Sequence, residues 1–562
     1  MKRSSLVLGR AALSAAGLAG VALSGSLWAT SAAVAARPRL LVLLSVDQMR
    51  ADYVDRYGHQ WTRGLRRLLD RGAWFSQAAY PYLNTVTCAG HATMGTGAFP
   101  ATHGLILNQW WDRESGRSVA CTSDPSAKLI TYGEPAEGGE SASRLEVLTF
   151  ADELRAQSAT PPRIVSLSGK ARAAITLAGR RGDIVLWFGD AGGWTTSTAF
   201  AGGRLPFLER YFAEHPVVED FGKLWERLLP ASAYLFDDAG EGERGPRGRA
   251  TFPYALGVPG AAPDAAFYDS WERSPFFDAY LGRLAAATAA ELGMGRGPGT
   301  DYLAVSFSAL DSVGHAHGPR SHEVQDVLAR LDRTIGQLLD DLDRLVGPEH
   351  YVAALTGDHG VSPIPEQMAA FGEKAGRLDI RELSAQVDAA IATHFGPGAY
   401  VAAWNYTDLY FTAGTWDRLT ATPAALGAVV RTLERTPGIL RVLRADELRR
   451  TRTDDDPLAR AAALSYRPGR SGDLIVVPRP YWITSTSVAT HGTGHRYDAR
   501  VPVLLAGAGI RPGEYLAQAS PADIAVTFAY LTGVTLSRPD GRVLGEALAP
   551  RALTPTQGDT HN

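Results

Sequence analysis

The sequence is short of several things, and each shortage excludes a class of protein. Only two cysteines occur in 562 residues, Cys88 and Cys121. They allow one disulfide or two free thiols, and they exclude a cysteine-stapled scaffold. Basic residues are not in excess: 56 Lys and Arg stand against 59 Asp and Glu, a formal net charge of −3. No basic stripe suits a nucleic-acid partner. Internal repeats and long low-complexity tracts are missing, which excludes solenoids and arrays. The one apolar run long enough to consider for a bilayer lies at the amino terminus. It is rich in Ala, Gly and Ser, so it is a weak span.

That run has the anatomy of a leader. Lys2 and Arg3 give a basic start, Arg10 precedes a small apolar stretch from Ala11 to Trp28, and Ala33-Val34-Ala35 offers a small-residue cleavage site. The pattern predicts a secretory signal peptide over 1–35, with an uncleaved anchor as the alternative. Cleavage removes Lys2, Arg3 and Arg10 and no acid, so the mature chain is more acidic than the whole. The expected location is the periplasm or the medium, with no stable membrane anchor after cleavage. In such an oxidising compartment Cys88 and Cys121 are expected to pair. The tail from 551 to 562 reads as loose.

What the sequence has in quantity is alternation of strand-like and helix-like segments. Short apolar runs at 40–46, 164–167, 302–307, 351–355, 474–477 and 501–505 read as buried strands. Val324, Leu328, Leu331, Ile335, Leu338, Leu342 and Leu345 fall at steps of four and three, one face of an amphipathic helix. This alternation predicts an α/β fold with a mostly parallel central sheet and helices on both faces. The catalytic domain is expected over 36–550. Two stretches break the rhythm and read as insertions: about 189–300, rich in Gly, Pro and aromatics, and about 362–487, of mixed α+β character.

Asp and His cluster where the expected strands end. Asp47 closes the first strand, Asp311 and His315 follow another, Asp358-His359 a third, and His491 precedes the run at 501. Ligands in open α/β sheets bind beyond the carboxyl ends of strands. Carboxylates and imidazoles without thiolate suit zinc and some other transition ions. A pair of such ions forms a clamp for in-line displacement at phosphorus. Any one of these residues alone reads as a cap or turn residue. Nearby His91, His103, His317 and His495 read as supporting groups that orient the others.

Taken together, Thr87-Cys88-Ala89-Gly90-His91, Thr96-Gly97, His103-Gly104, Asn108, Asp311-x-x-x-His315-x-His317-Gly318-Pro319, Gly357-Asp358-His359-Gly360 and Thr490-His491-Gly492 resemble the alkaline phosphatase superfamily. More narrowly they resemble its PafA-like bacterial alkaline phosphatases, relatives of the nucleotide pyrophosphatase/phosphodiesterases. The resemblance runs from about Arg39 to Leu548. It implies a three-layer alkaline-phosphatase-like sandwich and two Zn2+ ions. One is held by Asp311, His315 and His491, the other by Asp47, Asp358 and His359 with the Thr87 oxygen. It makes Thr87 the nucleophile and Asn108 a donor to a phosphoryl oxygen. Ser168-Gly169-Lys170-Ala171-Arg172 looks like the K-x-R segment of the PafA-like group. Lys170 and Arg172 then hold the extra charged oxygen of a monoester dianion. The Cys-x-Pro-x-Arg signature of sulfatases is missing. The expectation is a phosphate monoester hydrolase that works on small phosphate esters through a phosphothreonine. The alternative is a nucleotide pyrophosphatase/phosphodiesterase with the same two-metal site.

Overall fold

The computed structural model describes residues 37–549, apart from 190–191, 246–248, 259 and 450–454. The expected signal peptide and the tail from 551 lie outside the described residues. A ten-stranded sheet organises the chain. Its centre is five parallel strands, in the order Tyr351–Thr356, Leu40–Val46, Asp301–Phe307, Ile164–Ser168 and Ile184–Gly189. Val503–Gly507 and Gly193–Ser197 flank this centre antiparallel, and shorter strands finish both edges. Every residue of Leu40–Val46 is buried. Leu40, Val42, Leu44 and Val46 enter one hydrophobic cluster, while Leu41 and Leu43 enter another. Two covered faces explain why the strand reads as an unbroken apolar run rather than an alternating one.

One face carries Pro275–Glu291 and His322–Val346, the second with the predicted apolar stripe facing inward. The other carries Phe150–Gln157 and Ala522–Thr532. The result is the expected three-layer sandwich. The stretch read as a first insertion contains the sheet strand Gly193–Ser197 and the core helix Pro275–Glu291, with the helices Pro206–Glu214 and Ala265–Glu272 and a two-stranded sheet of Leu224–Trp225 and Tyr254–Ala255 between them. The second holds a four-stranded antiparallel sheet in the order Val401–Asn405, Asp408–Phe411, Leu474–Pro478, Ile439–Arg444, backed by Ile380–Phe395 and Pro423–Arg435. The run at 474–477 therefore belongs to this small sheet, not the main one. A short apolar run records burial, not which sheet buries it.

Candidate active site

Four segments deliver polar side chains just past the carboxyl ends of the parallel strands. Asp47 follows Val46, Lys170 follows Ser168, Asp358 follows Thr356, and Asp311 lies one turn into the helix Ala309–His317 after Phe307. The helix places His315 four residues on, on the same face, with Nε2 3.2 Å from Asp311 Oδ1. His491 arrives from the loop after the small subdomain. Thr87 is the first residue of the helix Thr87–Thr96, whose preceding Val86 supplies no side-chain cap. That helix packs so closely on the Asp358 loop that a Cβ at Gly90 would collide with the Asp358 backbone.

These residues form two overlapping groups. Ligand atoms of Asp47, Asp358 and His359 lie within 4.8 Å of one another, as do those of Asp311, His359 and His491. Thr87 Oγ1 is 3.4 Å from His359 Nε2, beside the first group. His359 stacks on His491, with ring centroids 3.5 Å apart. The second group thus includes His359 where the resemblance implies His315, and His315 Nε2 faces the same Asp311 oxygen as His491 Nε2, at 3.2 and 3.9 Å. Lys170 Nζ bridges Asp47 Oδ2 and Asp311 Oδ2 at 2.5 Å each, between the two groups rather than free in the cleft. Three buried carboxylates this close require a cation among them.

The donor set fits divalent metal. Each of three imidazoles has Nδ1 against a backbone carbonyl: His315 on Ala489 at 2.8 Å, His359 on Gly360 at 2.9 Å, His491 on Thr85 at 2.9 Å. A carbonyl only accepts, so each Nδ1 carries the proton. Burial favours the neutral ring at His359 and His491, whose Nε2 then presents a lone pair to the carboxylates, whereas Asp311 outweighs burial at His315 and raises it. Lone pair facing carboxylate is repulsive unless a cation lies between. Asp47 Oδ1 is buried with no hydrogen-bond partner among the described residues, and Asp358 Oδ2 has only the His91 ring nearby, Nδ1 at 3.3 Å; both face His359 Nε2, at 3.5 and 3.2 Å. Burial, then the charges of Asp311 and Asp358, raise the Asp47 carboxyl far above its usual range. Burial also raises Asp311 and Asp358, but Lys170 and the histidines outweigh it and hold both below theirs. Burial depresses His359 and His491.

Residues 41–498 match the family described as type I phosphodiesterase / nucleotide pyrophosphatase. The chain belongs to that family. Among its relatives, alkaline phosphatase PafA of Elizabethkingia meningoseptica is 30% identical over 92% of this chain and 96% of the relative. Alkaline phosphatase PhoK of Sphingomonas is 30% identical, covering 90% and 91% of the two chains. The solved wild-type PafA superposes with a TM-score of 0.84 at 29% identity, over 92% of this chain and 99% of that one. Murine ectonucleotide pyrophosphatase/phosphodiesterase 5 shares the fold, with a TM-score of 0.53 at 12% identity, over 91% and 100%. This member of the family sits with the PafA-like alkaline phosphatases.

Asn108 lies against the Thr87 helix. Its Oδ1 accepts from the Cys88 N–H at 2.8 Å, and its Nδ2 donates to Tyr406 Oη at 3.1 Å. Cys88 and Cys121 are disulfide-bonded. Arg172 lines a cleft of about 730 Å³ with Lys170, Ser312 and Glu140, and its buried Nε has no partner among the described residues. Of the four supporting histidines, His91 touches the site, with Nδ1 2.9 Å from Thr87 O and 3.3 Å from Asp358 Oδ2. His103 bonds Thr93, His317 faces Glu323, and His495 bonds Pro478 O. Two site residues carry no signal in the sequence. Gln48, in a left-handed conformation at φ 68°, donates its amide to Asp311 Oδ1 at 2.6 Å and its N–H to Asp358 Oδ1 at 3.0 Å. Tyr406 comes from a two-residue hairpin turn in the small subdomain.

Proposed function

We propose that this chain is an exported, zinc-dependent alkaline phosphatase that hydrolyses small phosphate monoesters with Thr87 as nucleophile. The observation that carries the reading is the placement of Thr87 Oγ1 at a helix N-terminus, beside His359 Nε2 and the Asp47 and Asp358 oxygens that face it. Asp47, Asp358 and His359 would hold one zinc, and Asp311, His315 and His491 the other. When bound, the ions supply Lewis-acid charge that favours the Thr87 alkoxide and the departing oxygen. Thr87 Oγ attacks phosphorus in line, the ester oxygen leaves, and water then hydrolyses the phosphothreonine. Asn108 Nδ2, Lys170 and Arg172 hold the equatorial oxygens, which is the positioning and electrostatic work of phosphoryl transfer. In one solved PafA mutant the altered residues are a threonine, an asparagine, a lysine and an arginine, spaced as Thr87, Asn108, Lys170 and Arg172 are here. The Cys88–Cys121 disulfide supports an oxidising compartment, and no described helix is long and apolar enough to cross a membrane.

Thr87→Ala is the direct test. Turnover of an aryl phosphate falls by more than about a thousandfold while bound zinc stays at two ions per chain by metal analysis. Near-normal turnover sinks the assignment. The family description keeps diester hydrolysis as the second reading. Lys170→Ala and Arg172→Ala separate the two: each lowers kcat/KM for the monoester far more than for a matched diester. A diester preference in the native enzyme that survives Lys170→Ala reverses the substrate class.

A further inference from the structure

A second cleft, of about 360 Å³, contains none of the metal-site side chains. Arg50, Arg56, Arg320, Arg496 and Arg500 line it, and Asp52 is the one carboxylate among its lining residues. Its walls continue from the segments that carry the metal-site residues. Arg50 follows Asp47, Arg320 follows the Asp311–His315 helix, Pro363 follows His359, and Arg496 follows His491.

One of the five, Arg50, is fully engaged by the fold, through two bonds to Asp52 and one to Val361 O; the other four are left with incomplete charge compensation. Arg50 and Arg56 share Asp52, each at 2.8 Å. Arg56 Nη1 is buried with no hydrogen-bond partner among the described residues. Arg320 has no carboxylate partner among the described residues; it lies 4.0 Å from the Phe236 ring centroid and 5.1 Å from that of Phe371. Arg500 donates to the backbone of Ser76 and the amide of Gln77. The Arg496 side chain has no partner among the described residues. Guanidinium forks match phosphate oxygens two by two, and like charges in a recess gain most from a multivalent anion. Tyr481 and Tyr497 stack at 5.8 Å to form a flat wall, and Tyr481 is held at φ 67° with its N–H on Tyr497 Oη at 3.1 Å. Non-glycine residues kept in that conformation gather at ligand clamps. The volume is that of a small-molecule pocket.

We infer that this cleft is a second anion site, separate from the catalytic pair, that takes a small phosphorylated anion, either inorganic phosphate or a compact organic phosphate. The test is calorimetric titration of zinc-loaded protein with inorganic phosphate and, separately, with methylenediphosphonate. The native chain is expected to show two sites for at least one of the probes, and the better probe identifies the source. In Arg320→Ala/Arg496→Ala the second site weakens about 100-fold while kcat/KM for an aryl phosphate is unchanged. Arg496→Ala alone removes an exposed side chain, leaves the core untouched, and weakens that site about tenfold. A single site per chain with both probes overturns the inference, as does a second site that survives the double substitution. So does sedimentation with phosphatidylglycerol vesicles, lost in the double variant, without a second small-anion site, because the cleft then serves a membrane surface.

Discussion

The hydrogen bond from Asn108 Nδ2 to Tyr406 Oη fixes which way the Asn108 amide points, because its Oδ1 is already taken by the Cys88 N–H. Without the tyrosine hydroxyl the amide still caps the Thr87 helix, but its donor is no longer steered. Tyr406→Phe should lower kcat/KM for a monoester about three- to tenfold, with little change in melting temperature. Steady-state kinetics and a thermal melt check this; equal loss of stability would make Tyr406 a packing residue only. The carboxylates and imidazoles that the fold brings together were legible in the sequence as types and positions. Their grouping was not. Whether His359 or His315 approaches His491 depends on a helix, a strand-end loop and a distant loop meeting in space. Gln48 and Tyr406 left no trace, because a glutamine after an aspartate and a tyrosine in a hairpin turn look like any others.

At the scale of elements, the Thr87 helix is held by a disulfide at its first turn and by bare backbone contact at Gly90. The disulfide joins Cys88 to Cys121, 33 residues apart, and the Cys121 N–H donates to Asn108 O at 3.0 Å. It therefore ties the residue after Thr87 to the segment that presents Asn108. Cys121→Ser/Cys88→Ser should cost about 2–4 kcal/mol in urea denaturation and also lower kcat. Loss of stability with full kcat would show that the bond does not position Thr87. Gly90→Ala should cost about 1–3 kcal/mol by pushing the helix off Asp358, and zinc affinity should fall with it. The sequence foretold the strands at 40–46 and 351–355 and the helix whose apolar face runs from Val324 to Leu345, because each is periodic or uniformly buried on its own. It marked the run at 474–477 as a buried strand but not which sheet pairs it, because pairing partners are set by chain reversals far away.

Across the whole molecule, several buried carboxyls are shifted the same way. Burial pushes Asp278 and Asp498 up to about 7 and Glu323 up to about 8. Asp278 accepts from the N–H groups of Ser308 and Ala309 at the start of the Asp311 helix. For each acid the folded value lies above the unfolded one, so between the two the folded chain keeps a proton that the unfolded chain has released. Raising the pH through that window disfavours the fold. The urea midpoint at saturating zinc should fall between about pH 5 and about pH 8, and Asp278→Asn should flatten the fall by an amount on the order of a few kcal/mol. A variant with the native pH profile would remove Asp278 from the account. By itself the sequence determined the α/β class, the chemistry of the donors and the residues that carry it, because strand burial, helix periodicity and side-chain type are local properties. Only the tertiary structure decided which of these side chains lie within reach of one another, that Lys170 bridges two carboxylates, and that five arginines from three segments face one cleft. Those depend on distances between residues tens to hundreds of positions apart, which packing sets and no local pattern records.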